Sequence, residues 1–124
     1  MIVAPAFRAM AVAAMWLAAS TANGASNNEI ILGQYIAEVT CSACHQVRAS
    51  GLVPAPYPDD DNKTIGVGPS FLEIAATYRG DAAGLRASIK EAHYPMPEPP
   101  IAANELDLLI GYIGRLGASP SDSQ

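Results

Sequence analysis

Cys41-Ser42-Ala43-Cys44-His45 is the stretch on which the reading of this 124-residue chain turns. Two thiols three positions apart fit one helical turn, and an imidazole follows at once. That order suits covalent attachment of a c-type haem, in which the thiols add to two vinyl groups on neighbouring pyrroles and His45 offers a nitrogen to the iron. Other chemistries share parts of the pattern. A thiol-disulfide oxidoreductase carries Cys-x-x-Cys at the N-terminus of a helix that follows a strand, where the dipole lowers a thiol pKa. Here Leu32, Tyr35, Ile36 and Val39 precede the motif at helical spacing, so it follows a helix instead. Zinc would take Cys41, Cys44 and His45 from one turn, and the only other histidine is His93. A structural disulfide would close a very small loop and contribute little.

Upstream, Arg8 is the only charged residue before Glu29, and Ala9 to Ala19 is an uncharged, Ala-rich run of 11 residues. Small residues follow from Ser20 to Ala25. This is the pattern of a cleavable secretory signal peptide over residues 1–24, too short for a stable membrane anchor, with cleavage after Ala22 or Gly24 equally compatible. A periplasmic location is the expectation. Losing 1–24 removes one base and no acid, so the net charge of −5 becomes −6. No basic stripe remains and the tyrosines are not interleaved with Lys or Arg, which argues against nucleic acid as a partner. Any charged partner should be basic. The length allows one domain, over 25–118, with a polar tail at 119–124.

Downstream, the periodicity predicts helices and no strand. Asn27 and Asn28 are good caps for a first helix reaching Val39, with Glu29 in its first turn. Gly51 to Gly68 reads as a loop, because Pro54, Pro56 and Pro58 are followed by Asp59-Asp60-Asp61-Asn62 and two glycines. The acidic run does not make a calcium loop: Lys63 takes the fifth position, and Ser70 stands where a bidentate Glu belongs. A short helix spans Ser70 to Tyr78, and Asp81 caps another bearing Leu85 and Ile89. His93 to Pro100 holds four prolines in six positions, so it reads as a stiff extended loop, neither helix nor paired strand. A last helix from Ala103 to Leu116 presents Leu106, Leu109, Ile110, Ile113 and Leu116 on one side, and Ala102 stands where a Ser would complete a capping box with Glu105.

Met96 is the only methionine left after signal cleavage, and it lies in the proline-stiffened loop 51 residues after His45. A thioether there is a candidate second axial ligand. It would favour ferrous iron and raise the reduction potential, whereas a second histidine would lower it. His93, three positions away, is its competitor.

Gly33, eight residues before Cys41, the Cys-x-x-Cys-His motif, Gly68-Pro69, Tyr78-Arg79-Gly80, Met96-Pro97 and Tyr112 together resemble the small single-haem c-type cytochromes of class I. The resemblance covers about Ile30 to Leu116, and the haem motif with the ordered Gly-Pro and Met-Pro pairs carries most of it. It implies an all-α, cytochrome c-like helical fold wrapped around one covalent haem c, with the first and last helices crossing where Gly33 meets Tyr112. It also implies that the Pro69 carbonyl orients the His45 ring. Cys41, Cys44, His45, Pro69 and Met96 are then the cofactor-binding residues, and His45 and Met96 the iron ligands. Tyr57, Tyr78, Arg79 and Tyr94 are candidates for packing on the ring or bonding a propionate. The Gly51 to Gly66 loop is longer than in the shortest members, and leaves its relation to the haem edge open.

With both axial positions filled by protein, such a site moves one electron and transforms no substrate, so the implied role is a carrier and not an enzyme. Its partners would be redox proteins, a donor dehydrogenase or respiratory complex and an acceptor such as an oxidase, met in brief, small-interface encounters. A haem subunit held permanently by one dehydrogenase is the alternative. A ligand-binding sensor or peroxidase is a third, disfavoured by Met96-Pro97.

Overall fold

A computed structural model of the protein describes residues 24–58 and 60–118. The assigned signal peptide, apart from Gly24, the tail from Ser119 and Asp59 of the acidic run lie outside the described residues, as do the side chains of Tyr57 and Thr64. The elements are α1 (Asn27–Thr40), β1 (Tyr57–Pro58), β2 (Thr64–Ile65), α2 (Phe71–Thr77), α3 (Ala82–Lys90) and α4 (Ala103–Gly117). The chain is helical, and among the described residues no helix is long and apolar enough to cross a membrane.

Helix α1 begins one residue earlier than Asn27 and Asn28 predict as caps. Ser26 is the cap: its hydroxyl accepts from Glu29 N–H at 3.3 Å, and its own N–H donates to Glu29 Oε2 at 2.6 Å. A Glu at the third helical position satisfies a second orphan donor, which an Asn cap farther along would leave unpaired. Ser70 and Glu73 repeat the arrangement at α2, and Asp81 caps α3 by accepting from Gly84 N–H at 2.8 Å. Helix α4 has only half of it. Ala102 N–H donates to Glu105 Oε2 at 2.7 Å, but the alanine side chain has nothing to return.

Two elements correct the expectation of a strand-free loop. Tyr57 pairs with Ile65 and Pro58 with Thr64 in a two-stranded antiparallel hairpin. Asn62, at φ 60°, turns the chain through the left-handed region that Asn tolerates. Proline is admissible on such an edge because no second neighbour needs its missing N–H. Likewise, His93 and Met96 form an isolated antiparallel bridge, closed by His93 N–H to Met96 O at 2.9 Å, so the proline-rich loop does contain one paired position.

Helix α4 is the shared partner of α1, α2 and α3. Its Leu109 and Ile113 are fully buried, joined by Leu106 and Tyr112 from the same helix, Ile36 and Ala37 from α1, Phe71 and Ala75 from α2, and Leu85 and Ile89 from α3. Ile110 and Leu116 are only half-buried, and Tyr112 takes the place on the inner face that periodicity gave to the aliphatics. Where α1 crosses α4, a Cβ on Gly33 would collide with the Leu108 carbonyl oxygen and come within 2.8 Å of the Tyr112 Cβ. Only a glycine permits that approach.

Candidate functional site

The motif begins where α1 stops. Cys41 is the C-cap of α1, with its N–H on Ala37 O at 2.9 Å, and the helical path continues for one more turn through Cys44 N–H and His45 N–H, both onto Cys41 O, at 3.2 and 3.0 Å. Ser42 reinforces that turn by donating its hydroxyl to Glu38 O at 2.5 Å. Cys41, Cys44 and His45 are therefore fixed relative to one another by local backbone bonds. All three are half-buried.

A second segment, 24 residues later in sequence, closes over this turn. Gly68 N–H donates to Cys44 O at 2.7 Å, and Phe71 N–H donates to Gln46 O at 2.9 Å. Between them, Pro69 O lies 2.7 Å from His45 Nδ1. A carbonyl oxygen can only accept, so Nδ1 carries a proton, and in the neutral ring the lone pair is the one on Nε2. Gly68 is held close against the same ring: a Cβ there would stand 2.5 Å from His45 Cε1. The Phe71 ring packs 5.8 Å from the imidazole, tilted by 54°.

Behind His45, two ties hold residues 47 and 48. The Tyr112 hydroxyl, buried in α4, donates to Val47 O at 2.6 Å. Arg48 reaches back to α1, where its Nε donates to Glu38 Oε1 at 2.6 Å and Gln34 donates to the same oxygen at 2.8 Å. These two bonds hold the Glu38 carboxyl below the ordinary carboxylate range, Gln34 contributing more than Arg48. Neither tie was visible in the sequence, since nothing in local periodicity pairs Tyr112 with a residue 65 positions away.

The electrostatics of Cys41 bear on the competing chemistries. Burial pushes its thiol up to about 11, with the neighbouring Cys44 adding to the rise. A thiol in that state, at the C-terminal end of a helix, is the opposite of the activated nucleophile of a redox dithiol, which needs a helix N-terminus or a nearby cation. Among the described residues, no group of three or more His, Cys, Asp or Glu side chains is arranged to hold a metal ion.

The other predicted site residues are spread out. Met96 is half-buried in its own turn, bridged to His93, while the Tyr94 ring between them is 76% exposed. Tyr78 and Arg79 line a cavity of about 340 Å³ among α2, α3 and α4, together with Leu85 and Ile113. A second cavity, of about 450 Å³, opens beside His45 and is walled by Val47, Leu52, Val53 and Pro54; Cys41, Cys44 and Met96 do not line it. Leu52 is 95% exposed and Val53 63% exposed, so an apolar surface lies open next to the imidazole. No protein-family model, curated protein or solved structure matches the chain.

Proposed function

We propose that this protein is a periplasmic electron carrier of the class I cytochrome c type, holding one haem through Cys41 and Cys44 with His45 and Met96 as axial ligands. The observation that carries the reading is the seating of His45, whose Nδ1–H is engaged by Pro69 O at 2.7 Å, so that in the neutral ring Nε2 is the nitrogen left for a metal. An imidazole used as an iron ligand requires that orientation, since the second-shell acceptor fixes the ring and raises its basicity. Further support comes from the donor set itself, two half-buried thiols and an imidazole on one turn, and from the apolar surface of Leu52 and Val53 beside it.

Bound there, a haem supplies a one-electron ferric and ferrous couple. Cys41 and Cys44 tether it, so that it is not lost outside the cytoplasm. Pro69 orients His45 without bringing an N–H that would need its own partner. Met96 would offer the soft thioether that favours the reduced state, and with His45 it would be the second protein ligand, so that no substrate need bind. The chain's residues therefore hold and tune, and transform nothing. The crossing of α1 and α4 at Gly33 supports a cytochrome c-like wrap. The acidic surface suits transient docking to redox proteins with basic faces, a donor dehydrogenase or respiratory complex on one side and an oxidase or other acceptor on the other.

The test is the visible spectrum of protein matured in a host competent for c-type haem attachment. The reading requires a sharp α band in the reduced form, unchanged by carbon monoxide, and a weak long-wavelength ferric band from Met sulfur that disappears in Met96→Ala. A protein that binds no haem despite intact maturation would return Cys41 and Cys44 to thiol chemistry.

A further inference from the structure

The acidic run, which does not make a calcium loop, leads into Asn62-Lys63-Thr64. Asparagine followed two positions on by Ser or Thr, with no proline between, is the acceptor pattern for N-linked glycosylation in an exported chain. The chain has five asparagines, and the other four, Asn23, Asn27, Asn28 and Asn104, have neither Ser nor Thr at that position. Turn chemistry asks for Asn, Asp or Gly at 62, and a strand asks only for a β-branched residue at 64, which Val or Ile would meet equally. Neither demand accounts for an amide paired with a hydroxyl two positions on.

The fold puts this tripeptide within reach of a modifying enzyme. Tyr57 pairs with Ile65 and Pro58 with Thr64, so 59–63 is the connecting loop of the hairpin, and Asn62 turns the chain there at φ 60°. Asp60, Asp61, Asn62 and Lys63 are all exposed. Asp60, two positions before the asparagine, adds a carboxylate by which a cationic cleft can hold the loop. The hairpin is two-stranded with two residues on each side, and among the described residues the core takes no member from between Val47 and Phe71. A ribbon of that size is marginal by itself, so the loop can open and enter a cleft without disturbing the helices.

We propose that Asn62 is an acceptor for an N-linked oligosaccharide, attached by a membrane-bound transferase from a lipid-linked diphosphate oligosaccharide. Asn62 Nδ2 attacks the anomeric carbon of the donor. A carbon–nitrogen bond forms, the bond from that carbon to the diphosphate oxygen breaks, and the lipid diphosphate leaves with the electron pair. Nδ2 gives one of its two protons to a base of the transferase, and nothing is oxidised or reduced. The inference goes beyond the carrier reading and shares with it only the export implied by residues 1–24.

The experiment expresses the full chain with its own leader in cells that hold an oligosaccharyltransferase, its lipid-linked donor and a second exported protein that the transferase modifies. Intact mass, peptide mapping and the N-terminal sequence are read for wild type, Thr64→Ser, Thr64→Val and Asn62→Asp. The expected result is an increment of one oligosaccharide on the wild-type peptide bearing Asn62, kept in Thr64→Ser and absent from Thr64→Val and Asn62→Asp. Val keeps a β-branched residue in the strand and Asp tolerates the left-handed turn, so circular dichroism and melting of both variants should match those of unmodified wild type. A wild type without the increment, while the second protein carries it, overturns the proposal. So does an increment that survives Thr64→Val or maps to another residue. The N-terminal sequence separates the two readings: an unmodified chain that has lost its leader was exported and refused, whereas one that keeps Met1 takes the export reading down together with the proposal.

Discussion

Gly33 and Gly68 have the same steric duty in two regions of the molecule, and what they press against differs. At the crossing of α1 and α4, Gly33 faces a helix backbone, the Leu108 carbonyl, which cannot move without separating two helices. At the candidate site, Gly68 faces the imidazole of His45, a side chain that can rotate away. The first contact specifies the fold, and the second positions one ring within it. A glycine matters to stability when its neighbour is rigid, and to function when its neighbour is a movable group that must stay put.

Substitution separates the two. Gly33→Ala should destabilise the protein by about 3 kcal/mol, the upper end of the cost of overpacking a tight interior, seen as a lower urea midpoint at unchanged slope. Tyr112→Phe joins the regions, because it keeps the ring against Phe71, 6.4 Å away, but strips Val47 O of its buried donor. A loss of about 2 kcal/mol is expected, with the His45 environment shifted in nuclear magnetic resonance spectra. Gly68→Ala should cost less, about 1 kcal/mol, because the ring can swing aside. Its signature is the disappearance of the slowly exchanging His45 Nδ1–H resonance with α1 and α4 undisturbed. If Gly68→Ala proves as damaging to stability as Gly33→Ala, the distinction between rigid and movable neighbours fails.

Two smaller effects sharpen the contrast among helix starts. Ala102→Ser should add about 0.5–1 kcal/mol by completing the box that α4 has only in half, read as a raised melting temperature. The complete boxes at α1 and α2 should show in the acid limb of stability. Glu29 and Glu73 are held below the ordinary carboxylate range by backbone and then side-chain hydrogen bonds from Ser26 and Ser70. Their folded-state pKa lies under the unfolded value, so their stabilisation is fully present above about pH 4.5 and is lost as pH falls through the depressed folded value. Replacing both by Gln should lower the melting temperature near pH 7, where the two carboxylates stabilise the fold, and flatten the acid limb of the profile, so that the variant and the wild type converge at low pH.

Much of this was legible without coordinates. Helices α2, α3 and α4 follow from apolar spacing and from Asp81 as a cap, because an amphipathic helix encodes its own face, although α4 runs one residue past Leu116 through Gly117 to an Ala118 cap. The turn holding Cys41, Cys44 and His45 is equally local. What escaped is non-local or conformational. The Ser26 cap competes with two Asn residues of equal capping preference, and what decides is the reach of Glu29 to Ser26 N–H. The hairpin at Tyr57–Ile65 depends on one left-handed residue, Asn62, inside a stretch whose prolines read as strand-breaking. The bond from Tyr112 to Val47 O spans 65 positions and exists only once α4 is packed, and the ion pair from Arg48 to Glu38 needs the chain to fold back on α1 after the motif, which periodicity does not encode.

The Tyr112 hydroxyl also imposes an order on events. The motif occupies residues 41–45, whereas the hydroxyl that pins the adjoining Val47 comes 65 residues after that valine. A chain delivered from its N-terminus therefore exposes both thiols for the whole interval before α4 emerges, and only then draws the loop shut behind His45. The cysteines are most accessible on the unfinished chain, and the final helix, by completing the core that Cys41 packs against, encloses them only in part.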